Sequence, residues 1–148
     1  MKKLFCLLFS VLMLLSLVAC GGESTDDPAT TTVSNVPSEI HCTITVIGKN
    51  GDVKIDKQPI ILRDKQTWPT VLDALAQACD AYELKLVRSE DGLGVESIAN
   101  QAATYSGDIF YWEWTKDGKA VSSGRAGNTE VTEGSAYVFT YTQLATEG

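Results

Sequence analysis

The chain has 148 residues, with 12 basic against 19 acidic side chains and a formal net charge of −7. Such a balance gives no electrostatic footprint for nucleic acid and is repelled by anionic lipid headgroups, so the protein surface is expected to bind neither. A single histidine and four cysteines also leave little material for a metal site.

At the N-terminus, Met1-Lys2-Lys3 is a short positive region, and Leu4 to Val18 is an apolar run broken only by two serines. The run leads through Leu17-Val18-Ala19 into Cys20-Gly21. A positive start, an apolar stretch and a small-residue exit predict a cleaved export signal over residues 1–19. The stretch is shorter than the about 20 residues a spanning helix needs. Leu17, Ala19 and Cys20 resemble, position by position, the Leu-x-Ala-Cys lipobox of bacterial lipoproteins. The resemblance implies that Cys20 is the lipidation site and the mature N-terminus, anchoring the protein to the extracytoplasmic face of the cell membrane. Several acyl chains on one cysteine meet the condition for stable anchoring that a single chain does not. Loss of residues 1–19 discards two lysines and no acids, leaving 10 basic against 19 acidic side chains and a net charge of −9. Residues 20–38, which begin with the lipidated cysteine, hold no aromatic residue and two isolated valines, a composition that cannot bury a core. They read as a disordered tether, a leash for one domain over residues 39–148.

In that domain Ile40 to Ile47 alternates in the strand manner, with Cys42, Ile44 and Val46 on one face and Thr43 and Thr45 on the other. Asn50-Gly51 is a hairpin signal, because both turn positions favour positive φ. A returning strand is expected from Asp52 to Leu62, with Pro59 marking an edge or irregularity. Thr67 or Trp68 then precedes Pro69, which suits the first turn of a helix. Val71, Leu72, Leu75, Ala76, Cys79 and Tyr82 form the stripe of one amphipathic helix. Short strands are expected at Leu84–Val87 and Val95–Ile98, with a turn at Ser89-Glu90-Asp91-Gly92 between them. Ile109 to Thr115 places Phe110, Trp112 and Trp114 on one face, and Asp117-Gly118 turns the chain into Ala120-Val121. A last strand runs from Ser135 to Thr142, with Tyr137, Phe139 and Tyr141 alternating. Hairpin, helix, then short strands predict an α+β fold, a β-grasp-like mixed sheet crossed by one helix. The sheet's other face is left to loops, polar residues or a partner.

Two cysteines remain in this domain, Cys42 opening a strand and Cys79 late on the buried helix face. Because the start of that helix, not its end, belongs near the strand's beginning, they are expected to be unpaired and to pack as apolar residues.

Thr70-Val71-Leu72-Asp73-Ala74-Leu75, Val95-Glu96-Ser97-Ile98, Trp112-Glu113-Trp114 running to Asp117-Gly118, and Glu133-Gly134-Ser135 succeed one another in a familiar order. Together they resemble a bacterial domain family related to the C-terminal β-domain of transcobalamin and intrinsic factor. That family shows a helix start of the same kind, a Val-x-Ser-Ile strand, a tryptophan ahead of an Asn-Gly turn, and a late Gly-Asp. Here Asp117 stands for the turn asparagine, Ser135 for the late aspartate, and Ala99-Asn100 for a common Asn-Gly. The resemblance spans residues 40–142 and implies a ubiquitin-like β-grasp module of the ligand-binding type. In the animal carriers this domain closes over a corrinoid held against a helical domain. No helical domain is present in this sequence, and no contact residue is carried over.

Catalytic residues are hard to assemble. His41 sits at the tether junction and reads as solvated, and one histidine with two buried thiols does not make a common zinc site. Gly92-Leu93-Gly94 and Ser122-Ser123-Gly124 lack the strand-to-helix setting of a phosphate turn or nucleophile elbow. Glu90-Asp91 and Asp26-Asp27 read as solvated, and Asp52 and Asp56 lack calcium spacing. The two aromatic stripes are expected to form the core under the helix. On the opposite pleat stand Tyr111 and Glu113, with Tyr105 and Trp68 in flanking connections, and these four are the candidate ligand-binding residues. The expectation is a non-enzymatic extracytoplasmic lipoprotein without catalytic residues, metal or resident cofactor, which binds a small molecule with a corrinoid as the leading ligand. The alternative is a surface module docking another envelope protein through a sheet edge. A hydrophobic concavity beside Tyr105 and Tyr111 would favour the first.

Overall fold

A computed structural model of the chain describes residues 39–63, 68–121 and 125–144. The expected signal peptide, Cys20, the tether, Thr67 and Ser122-Ser123-Gly124 lie outside the described residues. Strands β1 (Ile40–Ile47) and β2 (Val53–Leu62) form an antiparallel hairpin, with Ile40 opposite Leu62 and Ile47 opposite Val53. Asn50 and Gly51 turn it with φ of 61° and 79°, the conformation their residue types favour. β8 (Ala136–Gln143) lies beside β1 and parallel to it, β6 (Phe110–Lys116) is antiparallel to β8, and β7 (Lys119–Ala120) closes the far edge. First and last strands parallel at the centre, with the helix directly after the opening hairpin, make the expected β-grasp arrangement.

Helix α1 (Val71–Ala81) begins later than Pro69 suggests. Thr70 is the N-cap: its hydroxyl accepts from the Asp73 amide at 3.3 Å, and the Asp73 carboxylate accepts from the Thr70 amide at 3.0 Å. This reciprocal box ties the first turn of the helix to its cap, so Pro69 falls just outside the helix. Val71, Leu72, Leu75 and Cys79 are buried as the stripe requires, joined by Ala74 and Ala78. Tyr82 is a correction: the helix stops at Ala81, and Tyr82 at the C-cap is 43% exposed with its hydroxyl on Gln58 Oε1.

The core lies on one pleat of the sheet, where Ile40, Cys42, Ile44, Val46, Ile55, Ile60, Leu62, Tyr137 and Phe139 meet the helix. Each such large apolar side chain contributes about 1.5–3 kcal/mol by leaving water. The opposite pleat carries Thr43, Thr45, Thr115, Thr140 and Thr142, each half-buried among its neighbours. A slip of one residue would exchange these two sets, so the register is strongly specified.

The short strands do not join this sheet. β3 (Leu86–Arg88), β4 (Val95–Ile98) and β5 (Gln101–Ala102) form a second, three-stranded sheet. β5 has no counterpart among the expected strands, because its turn residues Ala99 and Asn100 carry φ of 51° and 64°, and alanine gives no signal for that conformation. Asp117 and Ser135 meet each other: Ser135 Oγ donates to Asp117 Oδ2 at 3.2 Å, and the Ala136 amide donates to Asp117 Oδ1 at 2.8 Å. Asp117 therefore ties the β6–β7 turn to the start of β8.

Cys42 and Cys79 are free and buried. Burial pushes both thiols up to about 11, helped by Glu133 near Cys42 and Asp80 near Cys79.

Candidate functional site

The aromatic stripes do not all enter the core. Tyr137 and Phe139 are fully buried, whereas Phe110, Trp112, Trp114 and Tyr141 are half-buried. The helix packs chiefly over β2 and β1, and the three-stranded sheet covers the β6 end instead. That cover is smaller and leaves gaps. Trp112 is held by an indole N–H bond to the Gln101 carbonyl at 2.8 Å and by the Tyr141 ring, 5.1 Å away and tilted 47°. Trp114 stacks on Phe139 at 6.2 Å. Phe110 stacks on Tyr141 at 5.2 Å, and Lys49 Nζ lies 4.7 Å over the Phe110 ring. The Tyr141 hydroxyl donates to the Ala102 carbonyl at 2.6 Å, and burial raises its phenol above the usual range. Such packed rings with satisfied polar ends lose little freedom when a ligand arrives.

Beside them opens a cleft of about 220 Å³, lined by Gly94, Val95, Ala103, Tyr105, Tyr111, Trp112, Trp114, Arg125, Ala126 and Phe139. Tyr111 and Trp112 point to opposite pleats of β6, so a hollow that touches both lies along the strand's outer edge. One wall is the loop after β5. Its base is pinned where Thr104 Oγ1 donates to the Asp108 carbonyl at 2.6 Å and accepts from the Phe110 amide at 2.9 Å. From this loop Tyr105 projects 82% exposed.

The other wall joins two turns. In the first, Asp91 Oδ1 accepts from Ser89 Oγ at 2.6 Å and from the Leu93 amide at 3.1 Å. The Gly94 amide donates to Ser89 Oγ at 2.8 Å. In the second, the Arg125 amide donates to Asn128 Oδ1 at 3.0 Å, and the Gly127 amide donates to the Leu93 carbonyl at 2.8 Å. Gly127 is required there, since a Cβ would come within 2.7 Å of Leu93 Cα. Arg125 and Asp91 close the two turns with an ion pair. Glu90 and Asp91 are exposed turn residues, as the sequence indicates, and Asp91 in addition organises its turn and holds Arg125.

Of the four candidate binding residues, Tyr105 and Tyr111 line this cleft. Trp68 does not: it packs against the core and donates its indole N–H to the Val131 carbonyl at 3.0 Å. Glu113 stands exposed on the outer pleat and accepts from Thr142 Oγ1 at 2.7 Å. Sequence reasoning misses Arg125 and the contribution of Trp112 and Trp114 to the cleft. The arginine sits in a loop with no periodic signal, and the tryptophans read as core. His41 is exposed, with its ring 3.7 Å from Glu39 and 3.9 Å from Glu133. Among the described residues, no three His, Cys, Asp or Glu side chains group as metal ligands, and no helix is long and apolar enough to cross a membrane.

No family model and no curated protein matches the chain. Among solved structures, haptocorrin in complex with Cbi is similar with a TM-score of 0.57 and 17% identity, over 75% of this chain and 27% of that one. A conjectured metal-binding protein from Ruminococcus gnavus ATCC 29149 gives a TM-score of 0.44 and 20% identity, over 72% of this chain and 99% of that one. The haptocorrin likeness is one of fold, and this chain spans about a quarter of the haptocorrin chain.

Proposed function

We propose that the protein is a non-enzymatic, lipid-anchored binding protein of the cell envelope, and that its β-grasp domain captures a small molecule in the cleft along β6. The observation that carries this reading is a wall of half-buried aromatic rings, already locked by packing and hydrogen bonds, facing an open hollow of about 220 Å³. Ordinary small-molecule sites enclose roughly 300–1,000 Å³, so this hollow grips part of a ligand and leaves the rest outside. A corrinoid is the leading ligand. The fold is shared with part of haptocorrin, whose structure is a complex with Cbi, and a cleft for one portion of a large planar molecule suits a domain spanning 27% of that chain.

Docking through a sheet edge is the weaker reading. The long edge strand β2 carries Pro59 and holds Lys57 at a φ of 45°. Both features blunt an edge against added strands.

Calorimetric titration with cobalamin tests the proposal, using the exported chain with Cys20→Ser to keep it free of lipid. The expected result is micromolar or tighter binding, weakened at least about tenfold by Tyr111→Ala with the fold intact. Absence of binding removes the corrinoid and leaves the cleft to a smaller ligand.

A further inference from the structure

Arg125 belongs to two hollows at once. It lines the aromatic cleft, and it also lines a shallower groove of about 380 Å³ bounded by Ser89, Glu90 and Asp91. Its side chain therefore borders both. The main chain beneath it is fixed from both sides: its amide donates to Asn128 Oδ1 at 3.0 Å, and its carbonyl accepts from Thr129 Oγ1 at 2.9 Å. The guanidinium itself makes one ion pair, from Nη1 to Asp91 Oδ2. Among the described residues, its Nε and Nη2 have no hydrogen-bond acceptor. With the two side chains 53% and 44% exposed, water and salt screen the pair, and it exchanges partners at little cost.

We propose that Arg125 is a ligand-binding residue, and that the ligand carries an oxyanion. The flat part of the molecule lies in the cleft against the Trp112 and Trp114 rings, with Tyr111 at its edge, and a carboxylate, phosphate or sulfonate at its rim takes the open guanidinium donors. This assignment rests on the cleft being the binding site. The geometry favours it because a guanidinium fork pairs with such groups through two parallel hydrogen bonds. Asp91 and Glu90 work against it, since both repel an anion and Asp91 already occupies one donor. Removal of the Asp91 charge should therefore strengthen binding, whereas removal of Arg125 should abolish the preference for an anion. An acceptor at this rim would also bridge the two hollows, which extends the usable cleft beyond its 220 Å³.

Two fluorescent probes with the same rings separate the terms: anilinonaphthalene sulfonate, which bears the anion, and neutral phenylnaphthylamine. Wild-type protein should bind the sulfonate about tenfold more tightly, the scale of one charge-assisted pair. Arg125→Ala should erase that preference, read as the ratio of the two affinities so that any change in the wall, which both probes share, cancels. Arg125→Lys should restore part of the preference, and Asp91→Asn should raise it. A preference that survives Arg125→Ala overturns the proposal while the cleft reading stands. If neither probe binds, or Tyr111→Ala leaves both unchanged, the cleft is not the site and the proposal falls with it.

Discussion

The two ends of the same sheet face are covered differently. Over β1 and β2 the cover is α1, and Ile44, Val46, Ile55, Leu72 and Leu75 are all 0% exposed. Over β6 the cover is a three-stranded sheet of nine residues plus loops, and Phe110, Trp112, Trp114 and Tyr141 stay half-buried. A helix presents a continuous apolar stripe and fills the space above flat strands. Short strands joined by tight turns do not, and the unfilled space is the cleft. Stability is thus concentrated at one end and open aromatic surface at the other.

The sharpest way to break that comparison is to remove equivalent bulk from each end. Leu75→Ala deletes a fully buried side chain from the helix and should cost about 3 kcal/mol. Trp112→Ala removes far more volume, yet the ring is already partly wet and borders an existing hollow. It should cost about 2 kcal/mol, below the usual cost for a buried tryptophan. Urea unfolding of both variants decides the matter: a larger loss for Trp112→Ala than for Leu75→Ala would place the main core at the cleft end.

The next test uses pH. Cys42 and Cys79 both face the helix-covered core, and burial pushes both thiols from an ordinary 9.0 up to about 11. Between these values the folded chain holds protons that the unfolded chain has lost, so stability must fall as pH rises. The contribution is fully present below about pH 9 and is lost as pH climbs through about 11, amounting to about 2 kcal/mol for each thiol. Unfolding measured from pH 8 upward should therefore be steeper for the wild type than for Cys42→Ala with Cys79→Ala. Equal slopes would show that the thiols reach water and that this end is less tightly closed than the packing indicates.

The same contrast explains what is legible in the sequence. The hairpin, the helix and the last two long strands announce themselves because each has one buried face with a regular period. Of the small sheet, Val95–Ile98 is read to the residue and Leu84–Val87 overlaps β3, but β5 is two residues long, and its turn is built from Ala99 and Asn100. Tyr105 and Tyr111 can be picked out because they fall off the apolar stripes. Arg125 cannot, since a loop arginine acquires meaning only when Gly127 presses its turn against Leu93. Trp68 misleads for the complementary reason. It lies next to a helix start in sequence, and nothing local reveals that Val131 accepts its indole N–H.

The smallest effect on stability should come from Tyr105, and it is the most informative about function. Tyr105 is 82% exposed, and no other ring is stacked on it among the described residues. The loop beneath it is held by Thr104, which Tyr105→Ala leaves intact. The variant should therefore unfold within about 0.5 kcal/mol of the wild type. A large aromatic left in water at the mouth of a hollow contributes nothing to folding, so any consequence of removing it must appear in binding. Loss of affinity for the cleft ligand with unchanged stability would place Tyr105 on the ligand and support the division of labour between the two ends. Unchanged affinity would confine the binding surface to the rings packed under the small sheet.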